Sequence, residues 1–586
     1  MNPLSSARRG LPIREVLRGR RLNAYDVLLA AGIVALGYVV IKLGQSMTVN
    51  YAPGRTDVNL NTDITRVPYY AARSLLRMFI ALVISTVFTL VYGTAAARLR
   101  RAEKVLVPVL DVLQSIPILV FLPIALTFFI RLFPSNLLGL ELASIFVIFT
   151  SQAWNMTFSF YHSLISQPVE LDEAARMYRL TKWQRFWKLD VPSSMIGLVW
   201  NMMMSMGGGW FFLTASEAVT VFIHGKGITE SLPGIGSYMG AAASEGSFSK
   251  VAIAIATMVV LVVGTNFFVF RPLVAWSERF RMETSEATEK PKSIVLNALR
   301  RSSIPRFVGR ITRPIGHLLD RLTRPLGLAE YPLQQDSRRR RWGDVIFWGA
   351  IAGVSVFVVV DVLLYLDVHL GFSHFPAIVA MGLTTFARVV VLLVFSTFIW
   401  VPVGVKIGMS PKLSRYAQPV VQVLASFPAI LLFPFITAAF ISLGVSLNLG
   451  AILLMALGAQ WYILFNVIAG ASAIPNEMVE MMRVLRLTRR QRWTQVILPA
   501  VFPAYVTGGV TAAGGAWNAS IVAELVAWHR QTLNAYGLGN YISRASNDGK
   551  FALLIAGGIV MSAFVVIVNR VFWRRLYLLA ETRYAL

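Results

Sequence analysis

Apolar runs long enough to cross a bilayer recur along the chain, separated by shorter polar segments. A basic opening with Arg8, Arg9, Arg14, Arg18, Arg20 and Arg21 leads into the first run, about 27–43, with no convincing small-residue cleavage site after it. It reads as a first transmembrane helix with the N-terminus inside. Further runs fall at roughly 70–97, 105–132, 140–165, 195–222 and 250–275, and a second set at 344–367, 377–405, 416–442, 447–470, 500–526 and 552–577. The pattern predicts an all-α polytopic membrane protein of about twelve spans.

Charge gives the orientation. Starting inside, the even-numbered connections are 98–104, 166–192, 279–342, 406–415 and 473–498, and all carry Lys or Arg. The opposite connections are poorer in basic residues and include Glu230, Glu245 and Asp548. This is the positive-inside distribution, and it puts both termini in the cytoplasm. It also changes the meaning of the net charge of +26, which in a soluble chain would point to nucleic acid. With 56% hydrophobic residues, 14% charged residues and a mean hydropathy of +0.62, the basic residues belong to loops and no nucleic-acid partner is expected. The chain has no Cys, which removes disulfides and thiolate metal sites; no metal site is expected.

The chain repeats itself. Arg77, Ser85, Thr86 and Gly93 return as Arg388, Ser396, Thr397 and Gly404, and Pro108, Ser115, Pro117 and Pro123 as Pro419, Ser426, Pro428 and Pro434. Trp154, Pro168, Glu170, Glu173, Thr181, Gln184, Trp210 and Glu217 return as Trp461, Pro475, Glu477, Glu480, Thr488, Gln491, Trp517 and Glu524. Gly234, Gly236 and Tyr238 return as Gly537, Gly539 and Tyr541. Such an ordered series makes two homologous halves of six spans, parallel in the membrane and related by an axis along its normal. The predicted layout is a basic segment 1–25, a first half 26–280, a basic linker 281–342 and a second half 343–586. The linker reads as a solvated tether beside anionic headgroups, with a lipid or regulatory site as the alternative.

The loop after the fourth span of each half is unusually ordered. Pro168 with Glu170, Asp172 and Glu173 places acids in a first helical turn, Arg176 and Arg179 follow, and Thr181-Lys-Trp-Gln184 fits a capping box that starts a second helix. Pro475, Glu477, Glu480, Arg483, Arg486 and Thr488-Arg-Arg-Gln491 repeat the design. A docking element explains two such copies better than a loop that only orders the spans.

Within the membrane, Glu217 and Glu524 are pathway or gate residues, or helix-end acids that anchor a loop; a carboxylate facing acyl chains would cost about 2.5–3.5 kcal/mol. On the first reading the two face each other across the halves, as do Ser115 and Ser426. Arg77 and Arg388 either attract an anion or snorkel to the interface. Pro117, Pro123, Pro428 and Pro434 should bend the third and ninth spans. Ser115, Ser426, Trp154, Trp210, Trp461 and Trp517 complete the pathway candidates. The Gly207–Gly209 run suits close helix packing. No P-loop or hydrolase motif is present, so energy must come from a partner or a gradient.

Glu173-Ala174-Ala175, followed by Pro192, resembles the EAA loop of ABC importer permeases. Ser115-Ile-Pro117, Ala459-Gln-Trp461, Trp183-Gln184, Ala523-Glu-Leu525 and Tyr536-Gly-Leu-Gly-Asn-Tyr541 resemble the nitrate, sulfonate, taurine and bicarbonate class. The resemblance implies the type I importer permease fold with both halves fused. It implies a coupling loop of Glu170, Glu173, Ala174, Ala175, Arg179, Thr181, Glu477, Glu480, Met481, Met482, Arg486 and Thr488. It further implies two ATP-binding subunits that carry ATP and Mg, a periplasmic or lipid-anchored solute-binding protein, a bacterial inner-membrane location and a small anionic substrate. The chain itself would hold no cofactor and perform no catalysis. Two departures stand out. The family glycine at the helix end is Arg179 and Arg486, which would cost on the order of 1 kcal/mol in a left-handed conformation and leaves the turn free to differ. The second alanine pair is Met481-Met482. Two other readings stand beside this one: a gradient-driven secondary transporter, and a membrane scaffold or sensor that binds an ATPase without moving solute.

Overall fold

A computed structural model describes residues 24–49, 60–134, 136–218, 232–280, 293–323, 327, 337–529 and 531–583. Residues 1–23 of the basic segment 1–25, the loop with Glu230, and linker residues 281–292, 324–326 and 328–336 lie outside these. The first half contains α1 (Ala24–Met47), α2 (Val67–Arg98), α3 (Arg100–Ser115), α4 (Phe121–Leu132), α5 (Leu138–Ile165), α6 (Val169–Met177), α7 (Val191–Ala218), α8 (Ile235–Ser244) and α9 (Phe248–Thr265). The linker carries α10 (Ile294–Arg301) and α11 (Ile304–Leu322). The second half repeats the order as α12 (Ser337–His369), α13 (Phe375–Gly408), α14 (Pro411–Ser426), α15 (Phe433–Leu443), α16 (Leu447–Ser472), α17 (Asn476–Val484) and α18 (Leu498–Ala523). An antiparallel hairpin of β1 (Leu525–Trp528) and β2 (Gln531–Asn534) follows, then α19 (Leu538–Asn547) and α20 (Phe551–Val568).

Nine helices among the described residues are long and apolar enough to cross a membrane. Two further spans are broken: α3 and α4 meet at 88°, α14 and α15 at 80°. The breaks sit at the expected prolines. Ile116 and Phe427, each before a proline, are driven to ψ 127° and 128°, out of the helical region. Pro123 and Pro434 instead lie in the first turns of α4 and α15, where a missing N–H costs nothing. The remaining expected span, α5, has 28 residues, roughly 42 Å at 1.5 Å per residue. It falls short on hydropathy because it packs between α2 and α7 and fully buries Glu141, Gln152 and Thr157 against them.

Each half has its own core, built on Met78, Ile148, Phe160 and Trp210 in the first and Leu392, Met455, Trp517 and Met561 in the second. The connections expected on one face do gather at one end of the bundle. Arg98 bonds Gln167 and Asp190, Asp26 bonds Ser302, and the Lys182 N–H donates to the Gly327 carbonyl.

Candidate functional site

At that end lie the two loop helices. Pro168 and Pro475 occupy the N-cap positions of α6 and α17, with Glu170 and Asp172, or Glu477, in the first turn. Both capping boxes form: Thr181 accepts from the Gln184 N–H and Thr488 from the Gln491 N–H, and each glutamine side chain answers the cap backbone. The helix ends depart from the sequence expectation. Arg179 and Arg486 both sit at φ 47°, so the left-handed turn is kept without glycine. The Arg179 N–H donates to Arg176 O at 2.9 Å and the Leu180 N–H to Ala175 O at 3.0 Å; Arg486 and Leu487 repeat the pair on Arg483 and Met482. These are the two bonds of a Schellman motif, and they outweigh a left-handed cost of about 1–2 kcal/mol.

Ala175 and Met482 are buried under their helices, while Glu170, Glu173, Glu477 and Glu480 face outward. The exposed surface is also apolar in a repeated way. Met177 and Tyr178 are 84% and 80% exposed, and the matching Val484 and Leu485 are 79% and 62% exposed. Sequence reading passed over these four. Their signal was an apolar pair at the end of a short charged helix, where a solvated loop would be polar. The supports beneath differ. In the first half, Asp172 pairs with Arg176 and Arg185, Arg185 lies 3.7 Å from Asp190, and Arg98 bonds Asp190 at 2.5 Å. In the second half the equivalents of Asp172, Asp190 and Arg98 are Val479, Ile497 and Met409, joined in an apolar cluster with Met482 and Leu487.

At the opposite end, the paired charges are anchors inside each half. Arg77 bonds Glu141 through Nε at 2.5 Å and Nη2 at 2.8 Å, Glu217 through Nη1 at 2.6 Å, and the Pro233 carbonyl at 2.9 Å. Arg73 also bonds Glu141, and Glu217 accepts from Ser74 and the Gly236 N–H. Arg388 bonds Glu524 at 2.7 Å, Asn448 at 3.1 Å and the Tyr536 carbonyl at 3.0 Å, while Thr385 and the Asn540 N–H complete Glu524. The snorkelling expectation for Arg77 and Arg388 is therefore corrected, since both are buried on carboxylates. Nor do Glu217 and Glu524 face each other. Each clamps the segment before α8 or α19 to a helix of its own half, the loop-anchoring alternative.

The paired glycines serve this clamp. A Cβ at Gly234 would strike the Glu217 carboxylate, and one at Gly537 the Glu524 carboxylate. Gly234→Ala should cost about 1–3 kcal/mol through overpacking, read as a lowered unfolding midpoint in detergent.

The other pathway candidates divide. Trp210 and Trp517 are core residues, Trp154 packs against Phe88 and Phe149, and Trp461 lies beside Trp400. The seam between halves holds Ser426, which with Gly207, Trp210, Asn266 and Gln422 lines a cavity of about 20 Å³, room for one water. A Cβ at Gly207 would lie 2.7 Å from Ser426 Oγ, which gives the glycine run its packing role. Beyond Pro117, the Ile118 N–H donates across the seam to Asn518 Oδ1 at 2.6 Å. Pro428 is buried, and the Ser115 side chain lies outside the described ones.

Comparison with known proteins fits this duplicated plan. The model of the family described as binding-protein-dependent transport system inner membrane component matches residues 89–275 and again 400–576. The nitrate import permease protein NrtB of Leptolyngbya laminosa is 30% identical over 185 residues, 30% of this chain and 63% of that protein. The bicarbonate transport system permease protein CmpB of Synechococcus elongatus is 28% identical over 185 residues, 31% and 63% of the two chains. The putative aliphatic sulfonates transport permease protein SsuC of Bacillus subtilis is 29% identical over 160 residues, 27% and 54%. The matches span less than two thirds of each of these relatives.

Proposed function

Because this chain belongs to the family of binding-protein-dependent transport system inner membrane components and carries the family unit twice, we propose that its two halves form the complete translocation unit of an ATP-driven importer for a small anion. The repeated docking surface carries this reading: two capped helices at one end of the bundle, each with outward acids and an exposed apolar pair. ATP-binding subunits seat on residues 168–190 and 475–497 from the cytoplasm. They supply ATP and Mg, and their closure swings the halves between inward- and outward-facing arrangements. A solute-binding protein delivers the substrate on the opposite side. The nitrate, bicarbonate and sulfonate permeases among the relatives favour an anion of that kind.

The buried carboxylates agree with an anionic substrate, because Glu217 and Glu524 are neutralised by Arg77 and Arg388 and do not repel it from the seam. The test is a variant with Met177→Asp and Val484→Asp. An unpaired carboxylate inside an interface costs several kcal/mol, and each 1.4 kcal/mol or so is tenfold in affinity. Copurification of the ATP-binding subunits and stimulated ATP hydrolysis should fall at least about tenfold, with the chain still in the membrane. Undiminished association would refute the docking assignment.

A further inference from the structure

We propose that α11, in the linker between the halves, is an interfacial helix bound to anionic phospholipid headgroups of the bilayer in which the chain sits. Three observations converge on it. The first is its pattern. Apolar residues recur at 304, 307, 308, 311, 315, 318, 319 and 322, positions that fall within about a third of the circumference of a 3.6-residue helix. Arginines occupy 306, 310, 313 and 321 on the remaining arc, against the single acid Asp320. Four arginines in 19 residues exclude a membrane span. A strong apolar stripe opposite a basic face is the composition of a helix lying in the headgroup plane.

The second is the unpartnered stripe. Leu318 and Leu322 are exposed, 57% and 66%, and Leu319 is also exposed. Among the described residues nothing covers this end of the stripe, although the side chains would bury readily.

The third is depth. Asp26 opens α1, one residue before its apolar run begins, and its carboxylate accepts from Ser302 Oγ at 2.7 Å and from the Ser303 N–H at 2.6 Å. Arg301 stacks on Tyr25, 5.7 Å from the ring centroid. The chain therefore enters α11 at the level where α1 enters the membrane. Past its far end, the Gly327 carbonyl is bonded to the Lys182 N–H of the docking loop. Both flanks of α11 are tied to the same end of the bundle, so the helix runs along that surface. Arginines beside lipid phosphates there supply the complementary charge, worth about fivefold in partition per residue.

The experiment uses the full-length, naturally Cys-free chain with one probe at a time, Leu318→Cys on the stripe or Gly309→Cys, where an added Cβ meets nothing. Each carries an environment-sensitive fluorophore in vesicles of phosphatidylcholine alone or with one third phosphatidylglycerol. In the anionic vesicles the 318 probe should be quenched by acyl-chain nitroxides at least about threefold more than the 309 probe. That difference should shrink in 1 M salt and in the variant with Arg306, Arg310, Arg313 and Arg321 all changed to Gln. Equal water access of both probes in anionic vesicles would overturn the proposal. So would the same burial with and without phosphatidylglycerol, or protection of the 318 probe that arises only when ATP-binding subunits are added.

Discussion

Oxidising a variant that carries Gly246→Cys and His529→Cys is expected to staple the two halves together and stop transport. The hairpin of β1 and β2 follows α18, at the end opposite the docking helix α17. It belongs to the second half but rests on the first. Trp528 stacks on Phe248 at 4.5 Å between centroids, and Phe435 takes the other partner position at 5.3 Å. The His529 N–H donates to the Ala243 carbonyl at 3.0 Å. A Cβ built on Gly246 lies 3.6 Å from the His529 Cβ, within the roughly 3.5–4.5 Å of natural disulfides. Both sites have positive φ, 72° and 53°, so cysteines there are strained by about 1–2 kcal/mol each, small beside a covalent bond. Since the native chain has no Cys, no other disulfide competes. After proteolysis in the linker, the halves should stay joined on a non-reducing gel. If this end must part in each cycle, uptake into vesicles should fall more than tenfold on oxidation and return with reductant, while either single variant transports in both states. Full transport by the cross-linked protein would mean that the seam at the hairpin does not open.

The features legible in the sequence were the local ones. Span positions follow from apolar length, the breaks at Pro117 and Pro428 from the restriction a proline places on its predecessor, and the capping boxes from four consecutive residues. Duplication was legible because two copies can be compared without a structure. What escaped depends on partners distant in sequence. Glu141 is 68 residues from Arg73 and 64 from Arg77, and Ile118 is 400 from Asn518. One trace of the first was available. Where the first half has Arg73 and Glu141, the second has Thr384 and Asn448, so an opposite pair of charges was exchanged together for a neutral pair. A joint change that preserves net charge is what a buried contact imposes. The turns at Arg179 and Arg486 misled for another reason. Propensity prices the residue alone, whereas the Schellman bonds are backbone interactions that offset the left-handed cost of an arginine.

That exchange sets up the last expectation, an unequal response of the two halves to the same substitution. In the first half, Arg77 keeps both bonds to Glu141 if Glu217 loses its charge. In the second, Arg388 has, among the described residues, one carboxylate, Glu524, and otherwise the dipoles of Asn448 and Tyr536. Breaking a buried pair by removing one partner costs about 3–5 kcal/mol, because a charge is left without compensation. Glu524→Gln should therefore approach that range, whereas Glu217→Gln, which leaves Arg77 a carboxylate that it shares with Arg73, should cost less. Arg388→Met should be as damaging as Glu524→Gln, since it strands Glu524 at 0% exposure. Combining Arg388→Met with Glu524→Gln should recover most of the loss, because no uncompensated charge remains. The measurement is the unfolding midpoint of each variant in detergent, with the amount of chain in the membrane as a second readout. The clamped segment 536–540 also ends the hairpin, so the Glu524 variants should loosen the seam and raise the reactivity of a cysteine at 529 as stability falls. Equal losses for Glu217→Gln and Glu524→Gln, or a double variant worse than either single one, would refute the account of these residues as charge-balanced anchors.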